Sequence, residues 1–370
     1  MKYAFALVAS LAGAALSHAQ PAPPTQDNPP PTPSFEECAR IDNDVERLRC
    51  YDRAAGRTRP ELVPAAQEAP PAAGRTIESA AEPAALEPGL AGPPETPSVL
   101  SRFWELDRAD KRGVFNFTGY RPNFFLPVHV STQMNTTPTS PAPDHTATVG
   151  PYQRTEAKFQ ISLRTKVAQG LVLPDADLWV GYTQQSLWQL YNHQNSSPFR
   201  DTNYEPEVNY VVPVPRGLQV LPLGWRWRFG EFGFAHQSNG QSGALSRSWN
   251  RLFLGGGLEN DDISFLVRHN HRVHESSGTD DNPDLVDYRG ATDLVLAWTP
   301  GRATASVTRR ANLGDFSRGS WQLDWTYPVH ADSPRALRWY VQLFTGYGET
   351  LLDYNFKQTS LSAGLTLFEF

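Results

Sequence analysis

The sequence predicts an all-β protein, an antiparallel transmembrane β-barrel preceded by a largely disordered N-terminal segment. Three observations point that way. From about residue 99 to residue 370, stretch after stretch alternates apolar and polar residues with a period of two, and the apolar face is aromatic while the polar face is charged. Alternation of this kind argues for strands. The 370 residues are only 39% hydrophobic, with a mean hydropathy of −0.47. That excludes a bundle of helical spans, each of which needs about 20 mostly apolar residues. Aromatics nonetheless reach 11%, with 10 Trp, an excess that an ordinary polar chain does not explain. The formal net charge of −6 gives no basic footprint for nucleic acid.

Taken in chain order, residues 1–19 read as a secretory signal peptide. Lys2 supplies the positive charge, Tyr3 to Leu16 is an uncharged apolar run, and Ser17-His18-Ala19 is a small-x-small cleavage site. No cysteine stands directly after it, so a lipoprotein anchor is not expected, and the destination is a bacterial envelope. Residues 20–98 form a Pro/Ala-rich segment with runs such as Pro29-Pro30-Pro31. Such composition cannot bury enough apolar surface to offset the entropy of ordering, so a disordered periplasmic segment is expected. One island interrupts it at residues 35–55, where Ile41, Val45 and Leu48 fall at helical spacing and predict a short helix. The island holds both cysteines of the chain, Cys38 and Cys50, and in an exported protein a disulfide is the favoured reading. A straight helix would hold their Cα atoms about 18 Å apart, too far for a bridge. A disulfide therefore requires the helix to break or turn back.

Residues 99–370 are the barrel. In Lys158 to Val167, Phe159, Ile161, Leu163 and Val167 point one way, and Lys158, Gln160, Ser162, Arg164 and Lys166 the other. Trp225 to Phe229 sets tryptophan against arginine, and Trp321 to Trp325 and Trp339 to Phe344 repeat the pattern. A sandwich also alternates, with its apolar face inward; a transmembrane barrel turns that face to lipid. Outer-membrane barrels commonly finish in a strand with a terminal aromatic, and the end of this chain, Leu361 to Phe370, resembles that signature. Leu361, Ala363, Leu365 and Leu367 share one face while Phe368 and Phe370 fall on the other, which a bulge near Phe368 would reconcile. Strands of about ten residues with their connections allow about ten to fourteen strands. Asp177, Gly217, Gly301 and Ser333-Pro334 are tight-turn candidates; Gln133–Gly150, Asn192–Glu207 and His274–Gly290 are the longer outer loops. Lys158, Arg164, Lys166, Arg226 and Arg228 are expected to fill the lumen as an ion-pair network that plugs it.

The stretch richest in chemistry is Gly233-Phe234-Ala235-His236-Gln237-Ser238-Asn239-Gly240, followed by Ser246-Arg247-Ser248-Trp249-Asn250-Arg251. Residues two apart on a strand share a face, so His236 and Ser238 project together, the pairing that activates a serine nucleophile. A hairpin would bring Asn250 beside His236, where its carbonyl could orient the ring without adding charge. The backbone N–H next to Gly240 is a candidate oxyanion donor. His-x-Ser on a strand is common. Polar residues at lipid-facing positions, however, are expensive and tend to be functional, and a third partner stands where a hairpin can deliver it. A histidine base works only when neutral, and histidines titrate near about pH 6.5, so activity should rise through that region.

These motifs resemble the outer membrane phospholipase A family. So do Tyr182-Thr183-Gln184 with Trp188-Gln189-Leu190, Ser196 to Pro206, and Gly346 to Asn355, in the same order along about Phe115 to Phe370. The resemblance does not extend to the Pro/Ala-rich segment or the cysteine island. It implies a twelve-stranded barrel that hydrolyses acyl esters of phospholipids, at both glycerol positions, on its lipid-facing surface. By motif it makes Ser238 the nucleophile, His236 its base, Asn250 the residue orienting that base and Gly240 the oxyanion-hole position. It also implies calcium dependence and an active homodimer, with calcium held by the Ser246 side chain and Gln241 carbonyl of one subunit and Ser196 of the other. Gln241 replaces a basic residue often found there, which a backbone-carbonyl ligand tolerates. Gln184 and Tyr204 match polar positions that support the dimer or the site. His269, His271 and His274 are expected in lumen or loop roles; Asp280-Asp281 could attract divalent ions, but a solvated loop is the preferred reading.

Two alternatives remain open at this point. A non-enzymatic, porin-like barrel would conduct and would not need His236, Ser238 and Asn250. A lipid A deacylase-type barrel would keep the serine chemistry and change the substrate.

Overall fold

A computed structural model describes residues 33–56, 98–333 and 336–367. The signal peptide, most of the Pro/Ala-rich segment, Pro334 and the terminal Phe368 to Phe370, with the bulge expected there, lie outside the described residues. The chain divides into two units, Met1–Leu86 and Glu87–Phe370.

In the first unit the island is two helices rather than one: α1 (Phe35–Ala39) and α2 (Asp44–Ala54). Each has its own start signal. Ser34 and Glu37 form a reciprocal capping box on α1, and the Asn43 side chain accepts from the amides of Val45 and Glu46 on α2. The break between them turns the chain back, brings the Cys38 and Cys50 Cα atoms to 5.4 Å and lets the disulfide form. Phe35 stacks on Tyr51 across the hairpin.

The second unit is a closed antiparallel barrel. Its strands are β1 (Phe117–Gly119), β2 (Asn123–Ser131), β3 (Thr155–Gln169), β4 (Asp177–Trp188), β5 (Phe199–Pro213), β6 (Arg226–Ser238), β7 (Ser248–Asn260), β8 (Ile263–Arg272), β9 (Thr292–Trp298), β10 (Thr304–Asn312), β11 (Asp315–Pro328), β12 (Arg338–Gly346) and β13 (Gln358–Leu367). From β2 onward each pairs with its neighbour in sequence, and β13 returns to β2 to close the sheet. β1 and β2 both pair with β3, at Gly119↔Leu163 and Phe124↔Gln160. They are two halves of one barrel strand, interrupted where Tyr120 turns inward, so the barrel has twelve strands. No helix among the described residues is long and apolar enough to cross a membrane; the strands do so. Ile161, Leu163, Phe232, Leu254, Trp321, Trp325 and Trp339 stand exposed on the outer face.

Two expected boundaries in the barrel wall need correction. Of Asn192–Glu207, expected as a loop, only the first part is one: β5 begins at Phe199. Its inward positions, Asp201, Asn203, Glu205, Glu207 and Asn209, are all polar and buried, which disguised a strand as a loop. Asp177 opens β4 rather than forming the turn, which spans residues 170–176.

The lumen is filled, but not by charges alone. Near the end with the short connections, α3 (Val99–Trp104) enters the barrel, capped by Ser98. Trp104 and Leu106 pack there against Tyr120, Trp179, Val211 and Phe229. A register shift in the β6–β7 pairing between Trp227 and Phe229 turns Phe229 inward to join them. Lys166 pairs with Glu105 (2.8 Å) and Asp177 (2.7 Å), and Arg228 with Asp107 (2.6 Å) and Glu259 (3.2 Å). Arg226 also meets Glu259 (2.9 Å). Arg164 departs from the ion-pair expectation: its guanidinium lies over the rings of Phe103 (3.5 Å) and Trp104 (4.5 Å). Burial opposes ionisation of Glu105, but the Arg112 amide and Lys166 win and hold its carboxyl below the usual range. Toward the other end, Lys158 pairs with Glu349 (3.0 Å), and Arg200 bridges Glu156 (2.9 Å) and Asp353 (2.5 Å).

Candidate active site

A polar patch interrupts the apolar outer surface of β6 and β7. Outward positions along β6 read Phe232, Phe234, His236, Ser238, ending at the long-loop side. Along β7 they read Ser248, Asn250, Leu252, Leu254. Both pairs of hydrophobics are exposed. The register sets Phe234 opposite Leu252, His236 opposite Asn250 and Ser238 opposite Ser248. His236 and Asn250 therefore meet side by side, with His236 Nδ1 2.8 Å from Asn250 Oδ1. Ser238 follows two residues on, on the same face. On the other side the register continues from Ser238 to Tyr204 of β5 and Gln184 of β4, so Gln184, Tyr204, Ser238 and Ser248 form one outward row. Pro206 falls opposite His236 in this register, and its missing N–H leaves the ladder open there.

The turn after Ser238 is built with care. Gly240 has φ +64°, and a Cβ there would come within 2.9 Å of the Tyr204 ring, so both conformation and space require glycine. Asn239 is buried; its side chain donates to the Leu245 carbonyl (2.8 Å) and accepts from the amides of Arg247 (3.0 Å) and Gln241 (3.3 Å). The inner face backs the patch with a fully buried Trp249, which donates to Gln237 (2.8 Å) under the guanidinium of Arg251. Trp249 packs on Leu285, Leu351 and Tyr354. Burial raises the Tyr354 hydroxyl pKa above its ordinary value, reinforced by its hydrogen bond to Asp284, and burial lowers that of Arg247.

A family model described as Phospholipase A1 matches residues 100–367. The chain belongs to the phospholipase A1 family. A putative phospholipase A1 of Neisseria meningitidis serogroup B is 35% identical over 354 residues, covering 89% of each chain. Phospholipase A1 of Escherichia coli K12 is 38% identical over 215 residues, 58% of this chain and 70% of that one. Among solved structures, outer membrane phospholipase A from Escherichia coli is 33% identical with a TM-score of 0.60, covering 69% of this chain and 99% of that one. The Salmonella typhi outer membrane phospholipase, described as a dimer with bound calcium, is 32% identical with a TM-score of 0.59, covering 69% and 93%. The protein is thus an outer-membrane β-barrel phospholipase, an ester hydrolase acting on phospholipid. The porin-like and lipid A deacylase alternatives are set aside.

The expected calcium ligands are distributed over two loops. Ser196 lies in the β4–β5 loop in a left-handed conformation, φ 60°. Gln241 and Ser246 lie in the β6–β7 loop, across the β5–β6 pair from it. Ser246 Oγ donates to Asp281 Oδ2 (2.5 Å), whose other oxygen meets His145 Nε2 (3.0 Å). This hydroxyl, carbonyl and carboxylate setting fits a hard cation that prefers oxygen. Among the described residues no group of three or more His, Cys, Asp or Glu gathers.

Asp280 and Asp281 therefore do not sit in a solvated loop: Asp280 pairs with Arg272 (2.6 Å) and Asp281 holds Ser246. His269 and His271 share a face of β8 as expected, but it is the outer face, alternating with the inward Arg268 and Asn270. Sequence reasoning did not read the turn-building role of Asn239 or the tie from Asp281 to Ser246, and it did not single out Glu275. The Glu275 carboxylate accepts from Asn250 Nδ2 at 2.9 Å; no motif linked residues 25 apart in sequence.

Proposed function

We propose that the enzyme is a calcium-dependent serine esterase that cleaves both sn-1 and sn-2 acyl esters of phospholipids, yielding fatty acid and lysophospholipid. The observation that carries this reading is the His236 Nδ1 to Asn250 Oδ1 contact of 2.8 Å on the lipid-facing side, with Ser238 two residues along the same face. With the Nδ1 proton donated to Asn250, Nε2 is left to take the Ser238 hydroxyl proton. Ser238 Oγ attacks the ester carbonyl, and the oxyanion develops beside the backbone N–H next to Gly240. His236 returns the proton to the departing glyceryl oxygen, and a water repeats the sequence on the acyl-enzyme. Placing these groups on the outer wall brings the lipid ester to them without leaving the bilayer.

Ser246 Oγ and the Gln241 carbonyl would hold calcium from one subunit and Ser196 from a second, which makes the active form a homodimer. The Salmonella typhi dimer with bound calcium supports this; an Escherichia coli structure described as an active-site asparagine-to-alanine mutant, 31% identical with a TM-score of 0.63, supports instead the place given to an asparagine in the site. When bound, calcium supplies positive charge near the developing oxyanion. Gln184 and Tyr204, in the row beside Ser238, support the dimer or the site itself. Residues 1–19 are proposed as the export signal and 20–98 as a periplasmic segment.

The test is hydrolysis of detergent-dispersed phospholipid by the purified protein, with both positions labelled. Calcium-dependent release from both positions is expected, with conversion to monomer and loss of turnover when a chelator is added. Full turnover in chelator would refute the calcium requirement, and release from one position only would refute the dual specificity.

A further inference from the structure

We propose that Glu275 is a positioning residue of the catalytic relay, holding the Asn250 amide so that its carbonyl, and not its NH2, faces His236. The inference rests on the assignment of Ser238, His236 and Asn250 above. The two ends of an amide are nearly the same size but opposite in role. If the NH2 faced His236, Nδ1 would have to accept, the ring proton would move to Nε2, and the base could not take the Ser238 proton. A carboxylate only accepts hydrogen bonds. Glu275 Oε1, 2.9 Å from Asn250 Nδ2, therefore demands the NH2 end and leaves Oδ1 for the ring, 2.8 Å away. That orientation fixes the proton on Nδ1. The carboxylate also provides, at one remove, the negative charge that an asparagine lacks when the imidazolium forms, because hydrogen bonds in a chain polarise one another.

Glu275 is delivered by a pinned loop. The β8–β9 connection, residues 273–291, begins with the Val273 amide donating to the Asn250 carbonyl (2.8 Å). Further along, Asn282 accepts from the Ser248 amide (3.0 Å) and its carbonyl receives Arg272 (2.6 Å). The loop is thus tied to β7 at Asn250 and at Ser248, by residues on either side of Glu275, which spares Glu275 the cost of being ordered alone.

The experiment measures kcat and KM of the full chain on detergent-dispersed phospholipid, and the rate of Ser238 labelling by a fluorophosphonate. Glu275→Ala should lower kcat and the labelling rate by about tenfold or more, the worth of a charge-assisted hydrogen bond, with KM unchanged. Glu275→Gln keeps an acceptor oxygen and should recover part of the loss. In an Asn250→Ala background, Glu275→Ala should add nothing, because both act through one amide. Wild-type kcat in Glu275→Ala, or losses that simply add in the double variant, would overturn the proposal while leaving the triad standing. Full activity in Asn250→Ala would instead remove the triad reading and this inference with it. If Glu275→Ala fails to fold, the Gln variant alone decides: a fall in kcat at unchanged KM supports the role, and wild-type kinetics overturn it.

Discussion

On the lumen side of β6 and β7, Glu231 meets Arg268 (3.0 Å), Gln237 accepts from Trp249 (2.8 Å) and Arg251 pairs with Glu205. On the lipid side of the same two strands the polar groups are His236, Ser238, Ser248 and Asn250, set among Phe232, Phe234, Leu252 and Leu254. The inner groups answer a packing problem: charges in a confined lumen are tolerable only when paired. The outer groups answer none, since a hydrocarbon-facing strand needs no hydroxyl or imidazole and is penalised for it. The difference teaches that polarity in a barrel wall is read by face. Inside it is scaffold, and outside it is function.

The sharpest way to break the comparison is to swap the consequences. Ser238→Ala should lower turnover by roughly three orders of magnitude or more, as for the nucleophile of an interdependent triad, and shift the unfolding midpoint by no more than about 0.5 kcal/mol equivalent. Phospholipid hydrolysis and urea unfolding of the same preparation check both halves. Arg200→Ala is the mirror image. It strands Glu156 and Asp353 in the lumen, 2.9 and 2.5 Å from the lost guanidinium, and should cost about 3–5 kcal/mol while the folded fraction keeps its specific activity. A Ser238 variant that loses stability, or an Arg200 variant that loses only activity, would erase the distinction between faces.

The same two-face logic explains what was legible in the sequence. The outer face of β3 announces itself, because Phe159, Ile161 and Leu163 alternate with Lys158, Ser162 and Arg164. β5 does not, because Asp201, Asn203, Glu205 and Glu207 read as loop until the lumen that receives them is known. His236, Ser238 and Asn250 were legible because two lie on one strand and the third across a single hairpin. Glu275 and Asp281 were not, since they reach the site through a loop fixed by Arg272, Asp280 and Asn282. Neither was the helical part of the plug: the alternation of the strands is silent about Trp104, which a helix inserts from outside the pattern. The break in the island was anticipated by geometry alone, from the reach of a disulfide against the rise of a helix.

Lys158 and Glu349 sharpen the scaffold side with a smaller effect that carries a sign. Burial by itself would push the Glu349 carboxyl up, yet Lys158 at 3.0 Å, His129 and the Ser360 hydroxyl hold it down to about 2 from an ordinary 4.5. A carboxyl lowered on folding adds stability above its unfolded pKa and loses it as pH falls through the folded one. The contribution is therefore complete at pH 7, begins to fade near 4.5 and is gone near 2; the shift corresponds to about 3 kcal/mol. Lys158→Met should be less stable than the parent at pH 7 by a share of that amount, since His129 and Ser360 still hold the carboxyl down. Since the parent loses its advantage on acidification and the variant has less to lose, urea midpoints measured downward from pH 5 should converge. A gap that stayed constant with pH would mean that Lys158 acts through packing of its stem and not through charge, and the lumen would then be less purely electrostatic than its pairing suggests.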